Sequence, residues 1–313
     1  MLDFAKIVTG LTLLYYGGDF LVTGSGRLAR FLKISPFVIG ATVIAFGTSA
    51  PELAVAILAA LDGAPELAMG NVIGSNIANV GLVIGVTAWI ASIAIAPKRF
   101  NRESPPLLIA SFLILFLAWD LKIDRLEGIV MVSLLALYVW RSFSYKEDFA
   151  LEPEEEIHLF SGKGPAFQFL LIVVGLVGLI GGAKLLVEGG VSVARNLGIS
   201  EWFIGITIVA VGTSLPEIVA SIFAAKRGHG EMAIGNIFGS NIFNILMVLG
   251  LTSIIQPLNI REPIHPDLII TTGITCLLLG LIMFRKHSIG KISGTVLLAT
   301  YFLYIAGKGL GTI

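Results

Sequence analysis

GATVIAFGTSAPELAV (residues 40–55) returns later in the same chain as GITIVAVGTSLPEIVA (205–220). A second stretch behaves alike: GNVIGSNIANV (70–80) returns as GNIFGSNIFNI (235–245). Both pairs stand at one offset, 165 residues, and Gly24/Gly189 and Arg30/Arg195 keep it. Apolar segments often resemble one another by chance. Gly, Thr, Ser, Pro, Glu and Asn recurring at fixed positions do not, so the chain reads as two copies of one unit.

The solvent of that unit is lipid. Of 313 residues, 56% are hydrophobic and only 13% charged, with a mean hydropathy of +0.91. A soluble domain carries about 25% charged residues. A spanning helix needs about 20 apolar residues. Ten such segments can be read, near 3–24, 35–61, 67–95, 105–119, 125–143, 166–187, 201–225, 232–255, 267–284 and 291–308. The first could pass for a signal peptide, but Asp19 interrupts it and it has a counterpart later, so it is kept as structure. The offset sorts the ten into two sets of five. Five is odd, so the second set enters from the opposite face. The expected fold is an all-α polytopic membrane protein with ten transmembrane helices as two inverted five-helix repeats. The first repeat covers 1–143, an acidic linker 144–164 and the second repeat 165–313. Of the 21 Lys and Arg residues, two-thirds fall on one side. The positive-inside rule makes that side cytoplasmic, with both termini outside and the linker inside a multi-pass cell-membrane protein.

Zero net charge argues against a nucleic-acid partner, since phosphate binding needs a basic excess. The one cysteine, Cys276, has no internal partner, and the four histidines lack zinc-ligand spacing. Ser49 or Ser214 as an enzyme nucleophile would need a basic partner, and no membrane-embedded histidine supplies one. The reading is therefore not an enzyme, and it needs no cofactor. The sequence does not fix an oligomeric state.

In FGTSAPE (46–52), Pro51 has no N–H to offer the Gly47 carbonyl, and its ring crowds that turn. The helix should break near 47–51, and freed carbonyls at membrane depth need a protein or cavity receiver. A cation is such a receiver. Thr48 and Ser49 add hydroxyls and Glu52 a carboxylate; Thr213, Ser214, Pro216 and Glu217 repeat them. Charged carboxylates at the bilayer centre cost at least about 2.5–3.5 kcal/mol each. A divalent ion balances two of them. Calcium favours six to eight oxygen ligands, and this set is all oxygen. In the second motif Asn71, Ser75 and Asn79 make one polar stripe, repeated by Asn236, Ser240 and Asn244. Asn71 and Asn236 suit interhelical hydrogen bonding, whereas Ser75, Asn79, Ser240 and Asn244 can offer oxygen to ions beside the glutamates. Gly70/Gly74 and Gly235/Gly239 let another helix approach closely.

Together, G-T-S-x-P-E and G-N-x-x-G-S-N-I-x-N, each present twice, resemble the α-repeats of the cation/Ca2+ exchanger superfamily. The closest branch is the prokaryotic sodium/calcium exchangers. The resemblance implies that Glu52 and Glu217 coordinate Ca2+ with backbone oxygens of Thr48 and Thr213. It implies that Ser49, Ser75, Ser214 and Ser240, with backbone oxygens of Ala45 and Ala210, share in Na+ sites, flanked by Asn79 and Asn244. It also implies that spans 1 and 6 slide to switch access. The potassium-dependent branch is expected to carry an acid at Asn244, so potassium co-transport is not expected. The expected function is a Ca2+/Na+ antiporter, with H+/Ca2+ exchange as the nearest alternative and a cation channel as a third. Glu152, Glu154, Glu155 and Glu156 read as a solvated linker, with calcium regulation as a lesser alternative. Asp19 and Lys184 hold equivalent positions and read as snorkelling charges, the alternative being anchors of the sliding helices.

Overall fold

The computed structural model describes residues 2–144, 164–198 and 210–310. The Glu152–Glu156 cluster, His158 and the start of the 201–225 segment lie outside the described residues. Within them the regular structure is helical apart from four two-residue strands. The helices are α1 (Leu2–Leu32), α2 (Pro36–Thr48), α3 (Ala50–Leu61), α4 (Pro65–Ile90), α5 (Pro97–Asp120) and α6 (Arg125–Ser144). After the linker come α7 (Pro165–Asn196), α8 (Ala210–Thr213), α9 (Leu215–Lys226), α10 (Gly230–Ile255), α11 (His265–Phe284) and α12 (Lys291–Gly309). Among the described residues, six helices (α4, α5, α6, α7, α10 and α11) are long and apolar enough to cross a membrane. The bent pair α2–α3 makes a seventh.

The centre belongs to α4 and α10. In their apolar windows 78% and 89% of residues are buried, against 28% in α6. Both helices loosen at the same place, with π-helical turns at Asn79–Ile84 and Asn244–Leu249. Such turns are rare and gather at functional sites. The sequence gives no signal for them.

A glycine seam holds α1 against α7. Gly10 meets Gly182, Gly17 meets Gly175 and Gly24 meets Gln168 and Leu171, so the two helices run antiparallel. A Cβ at Gly17 would stand 2.7 Å from the Leu179 backbone nitrogen. Close backbone approach of this kind is how membrane helices pack when lipid and core are equally apolar. Gly175 and Gly182 are the 165-residue images of Gly10 and Gly17, so the seam maps onto itself when the copies are exchanged.

The copies also interlock elsewhere. Strand β1 (Ile93–Ala94) pairs antiparallel with β4 (Ser288–Ile289), and β2 (Lys122–Ile123) with β3 (Leu258–Asn259). Gly85 on α4 packs on Gly294 and Leu298 of α12, while Gly250 on α10 packs on Gly128, Met131 and Val132 of α6. Each central helix is thus covered by the last helix of the other copy.

Helix boundaries differ from the sequence reading at several places; the sixth segment, for one, ends at 187 in that reading and α7 runs on to Asn196. The first segment was read as ending at 24, and α1 continues to Leu32. Its amphipathic end finds packing: Leu28 and Ala29 are buried. The fourth segment was read from 105, and the helix begins at Pro97 with Pro105 and Pro106 inside it. Pro106 leaves the Arg102 carbonyl without its helical donor. The Arg141 guanidinium of α6 donates to that carbonyl at 3.1 Å and replaces the donor that Pro106 lacks.

Candidate functional site

Two bends create the site. The axis turns by 42° between α2 and α3. Ser49, at the turn, has φ −84° and ψ 0°, and its image Ser214 has φ −91° and ψ 3°. Pro51 then falls in the first turn of α3 and Pro216 in that of α9, where a missing N–H costs no hydrogen bond. One proline therefore ends one helical piece and starts the next. Glu52 and Glu217 come to lie in the first turn of α3 and α9, where the helix dipole favours negative charge.

Both carboxylates are sealed in protein, with Glu52 3% and Glu217 1% exposed. Glu52 Oε2, Ser49 Oγ and Asn244 Oδ1 have no hydrogen-bond partner, and the Glu217 carboxylate has none of ordinary geometry, with only the Thr48 hydroxyl near it. A buried acceptor left unmade costs about 1–3 kcal/mol, and more when charged. The two carboxylates act on each other electrostatically, and among the described residues no cationic side chain acts on either. The arrangement is a negative, oxygen-lined cavity whose oxygens lack positive charge.

The polar stripes of α4 and α10 line the same region. Ser75, Asn79, Ser240 and Asn244 are all buried. The Ser240 and Thr48 hydroxyls are 3.4 Å apart, and Thr48 also donates to the Ala45 carbonyl at 3.4 Å. Asn71 donates to the Glu52 carbonyl at 3.1 Å and Asn236 to the Ser221 hydroxyl at 3.1 Å. These two hold helix to helix, as their positions suggested. The Ala210 side chain lies outside the described residues.

Sequence reasoning passed over one pair at the centre. Asn76 and Asn241 each donate to the other's backbone carbonyl at 3.4 Å, and Asn244 Nδ2 donates to Asn76 Oδ1 at 3.1 Å. The pair stands at the 165-residue offset, inside the repeated Gly-Ser-Asn triplet, and that was the available signal. Exchange of these bonds pins α4 to α10 and fixes which way Asn244 turns its oxygen. Asn76→Ala should lower unfolding stability in detergent by about 1–2 kcal/mol. A thermal-unfolding curve unchanged from the parent would contradict this.

The two copies are not in the same state. Thr48 is fully buried, whereas its image Thr213 is exposed. A Cβ at Gly235 would stand 2.4 Å from the Phe37 carbonyl oxygen, so α2 closes on α10 there; residue 202, the image of Phe37, lies outside the described residues. The site is closed where α2 meets α10.

Known proteins resemble this chain along nearly its whole length. The sodium/calcium exchanger protein family matches residues 3–144 and 167–309. The sodium/calcium exchanger MaX1 of Methanosarcina acetivorans is 33% identical, over 97% of this chain and 97% of its own. The provisionally named antiporter CaxA of Alkalimonas amylolytica is 39% identical, over 95% of this chain and 96% of its own. Among solved structures, the sodium-calcium exchanger NCX_Mj superposes with a TM-score of 0.84 at 34% identity, covering 98% of both chains. By sequence and by fold, the chain belongs to the sodium/calcium exchanger family.

Proposed function

We propose that this protein is a secondary antiporter that moves Ca2+ against Na+ through one central site. Glu52 and Glu217 carry the divalent ion, with backbone oxygens of Thr48 and Thr213. Ser49, Ser75, Ser214 and Ser240, with the carbonyls of Ala45 and Ala210, take the monovalent ions, and Asn79 and Asn244 border the centre. The carrying observation is the set of partnerless oxygens on two buried, facing carboxylates. Two negative charges match one divalent ion, and a neutral rim of hydroxyls and carbonyls suits ions of lower charge. The lipid bilayer is the partner that the apolar exterior requires.

The reading includes ten spans in two inverted halves, 1–143 and 165–313, with the 144–164 linker in the cytoplasm and both termini outside. The self-mapping antiparallel seam of α1 and α7 supports the inversion. The burial of Thr48 against the exposure of its image Thr213 supports alternating access. In an inverted repeat, two copies in different states leave the site open to one face only.

The test is Ca2+ uptake into vesicles holding the purified protein. An outward Na+ gradient should drive accumulation, and collapsing that gradient should stop it. Uptake driven by a pH gradient in the absence of Na+ would assign the same carboxylates to H+/Ca2+ exchange. Single-channel currents would overturn alternating access.

A further inference from the structure

Asp19 was read as a snorkelling charge, and the structure corrects this: Asp19 is in an ion pair. The Arg227 guanidinium, at the end of α9, donates to the Asp19 carboxylate and to the Thr23 hydroxyl of α1. Beside the pair, α1 lies along α9. Gly18 faces Val219 and Phe223, and the Tyr15 and Phe223 rings meet edge-on with centroids 5.4 Å apart.

The 165-residue images of this pair are Lys184 for Asp19 and Asp62 for Arg227. Both signs are reversed, so the image pair is again complementary. The backbone setting is the same as well. Asp62 and Arg227 each follow the last turn of a helix, and each precedes a glycine of positive φ, Gly63 at 76° and Gly228 at 78°. Gly63 donates to Ala60 O and Ala64 to Ala59 O; Gly228 donates to Ala225 O and His229 to Ala224 O. The image contact is nonetheless unmade. Asp62 and Lys184 are both exposed and form no ion pair among the described residues. Leu58, the image of Phe223, is 61% exposed. The nearest acid on the same helix face as Lys184 is Glu188, which already binds Lys6 at 2.8 Å.

We propose that Asp19–Arg227 and Lys184–Asp62 are two alternate latches for the α1–α7 helix pair, one made in each access state. This rests on the alternating-access reading above. In the state described here the first latch is closed and α1 is fastened to α9. When the helix pair slides, Arg227 releases Asp19, and Lys184 reaches Asp62 at the end of α3. Partial exposure keeps each ion pair weak, so neither latch traps the carrier. Sign reversal leaves each latch complementary within itself while giving the two faces different chemistry.

Intrachain crosslinking in native membranes tests this. Cys276→Ser gives a cysteine-free parent. Asp19→Cys with Arg227→Cys, and separately Asp62→Cys with Lys184→Cys, place thiols at each latch, and loss of maleimide-polymer labelling after mild oxidation reports the disulfide. The first pair should crosslink readily. The second should crosslink more slowly, and Arg227→Ala should raise its rate roughly fivefold, the population shift expected for loss of one ion pair. Either disulfide should stop Ca2+ flux until reduced. No disulfide at 62 and 184, or a rate indifferent to Arg227, would overturn the latch. Exchanging the charges, Asp62→Lys with Lys184→Asp, should keep flux that each single reversal slows; equal loss in all three would also count against it. Absence of Na+-driven flux in the unaltered chain would instead overturn the exchanger reading, and the crosslinking rates would still be readable.

Discussion

Glu217→Gln should reduce Ca2+ transport by at least about a hundredfold while leaving the folded protein intact. The amide has nearly the same shape as the carboxylate, so packing on α9 is kept and only charge is lost. At an effective dielectric near 20, one carboxylate and a divalent ion about 4 Å apart attract by roughly 8 kcal/mol before desolvation is counted. Even if under half of that survives, roughly 3 kcal/mol remains, a factor of more than a hundred. Desolvation is largely complete in the parent, because Glu217 is already sealed from water without a bonded partner. Glu52→Gln should behave alike. Removing one negative charge costs a divalent ion twice what it costs a monovalent one, so Ca2+ binding should fall further than Na+ binding. Isotopic uptake of each ion into vesicles measures this, and normal Ca2+ flux in either variant would sink the proposed site.

The second large effect is structural. Gly239→Val should prevent recovery of a monodisperse protein, or cost about 3 kcal/mol or more if it folds. A Cβ there would stand 2.4 Å from the Ala41 carbonyl oxygen and 2.6 Å from the Ala41 Cα. Both are backbone atoms of α2, so no side chain can swing aside, and α2 and α10 must part. Separating them also pulls Thr48 from Ser240. Size-exclusion profiles and thermal unfolding of the variant check this, and a monodisperse protein of parental stability would contradict the close backbone contact of α2 with α10.

Much of this architecture was legible because the duplicated motifs are made of residues with strong local consequences. Proline after glycine announces a break, and the chain bends within one residue of where Pro51 places it. Glutamate after that proline announces a first-turn carboxylate, and both are found there. The π-helical turns beginning at Asn79 and Asn244 had no such announcement. They depend on how α4 and α10 seat against neighbours distant in sequence, and no local propensity encodes that. The Asp19–Arg227 bond was hidden for a related reason. The offset aligns Asp19 with Lys184, and a mismatch in a repeat reads as noise until a structure shows which residue each one faces. Pro105 and Pro106 misled in the opposite sense. Their local signal is a helix start, and it was overridden by a donor from another helix.

The cross-covering of the two copies has a consequence for how the protein is made. The glycine face of α4 at Gly81 and Gly85 is closed by α12, through Tyr301, Leu298 and Gly294. Those residues leave the ribosome long after α4. A nascent chain that has just delivered α6 to the membrane therefore holds half of its central helices with an unfilled groove, and it must stay there through synthesis of more than 150 further residues. Insertion and assembly are separate events for this chain. Loss of α12 should leave an inserted chain with that groove open.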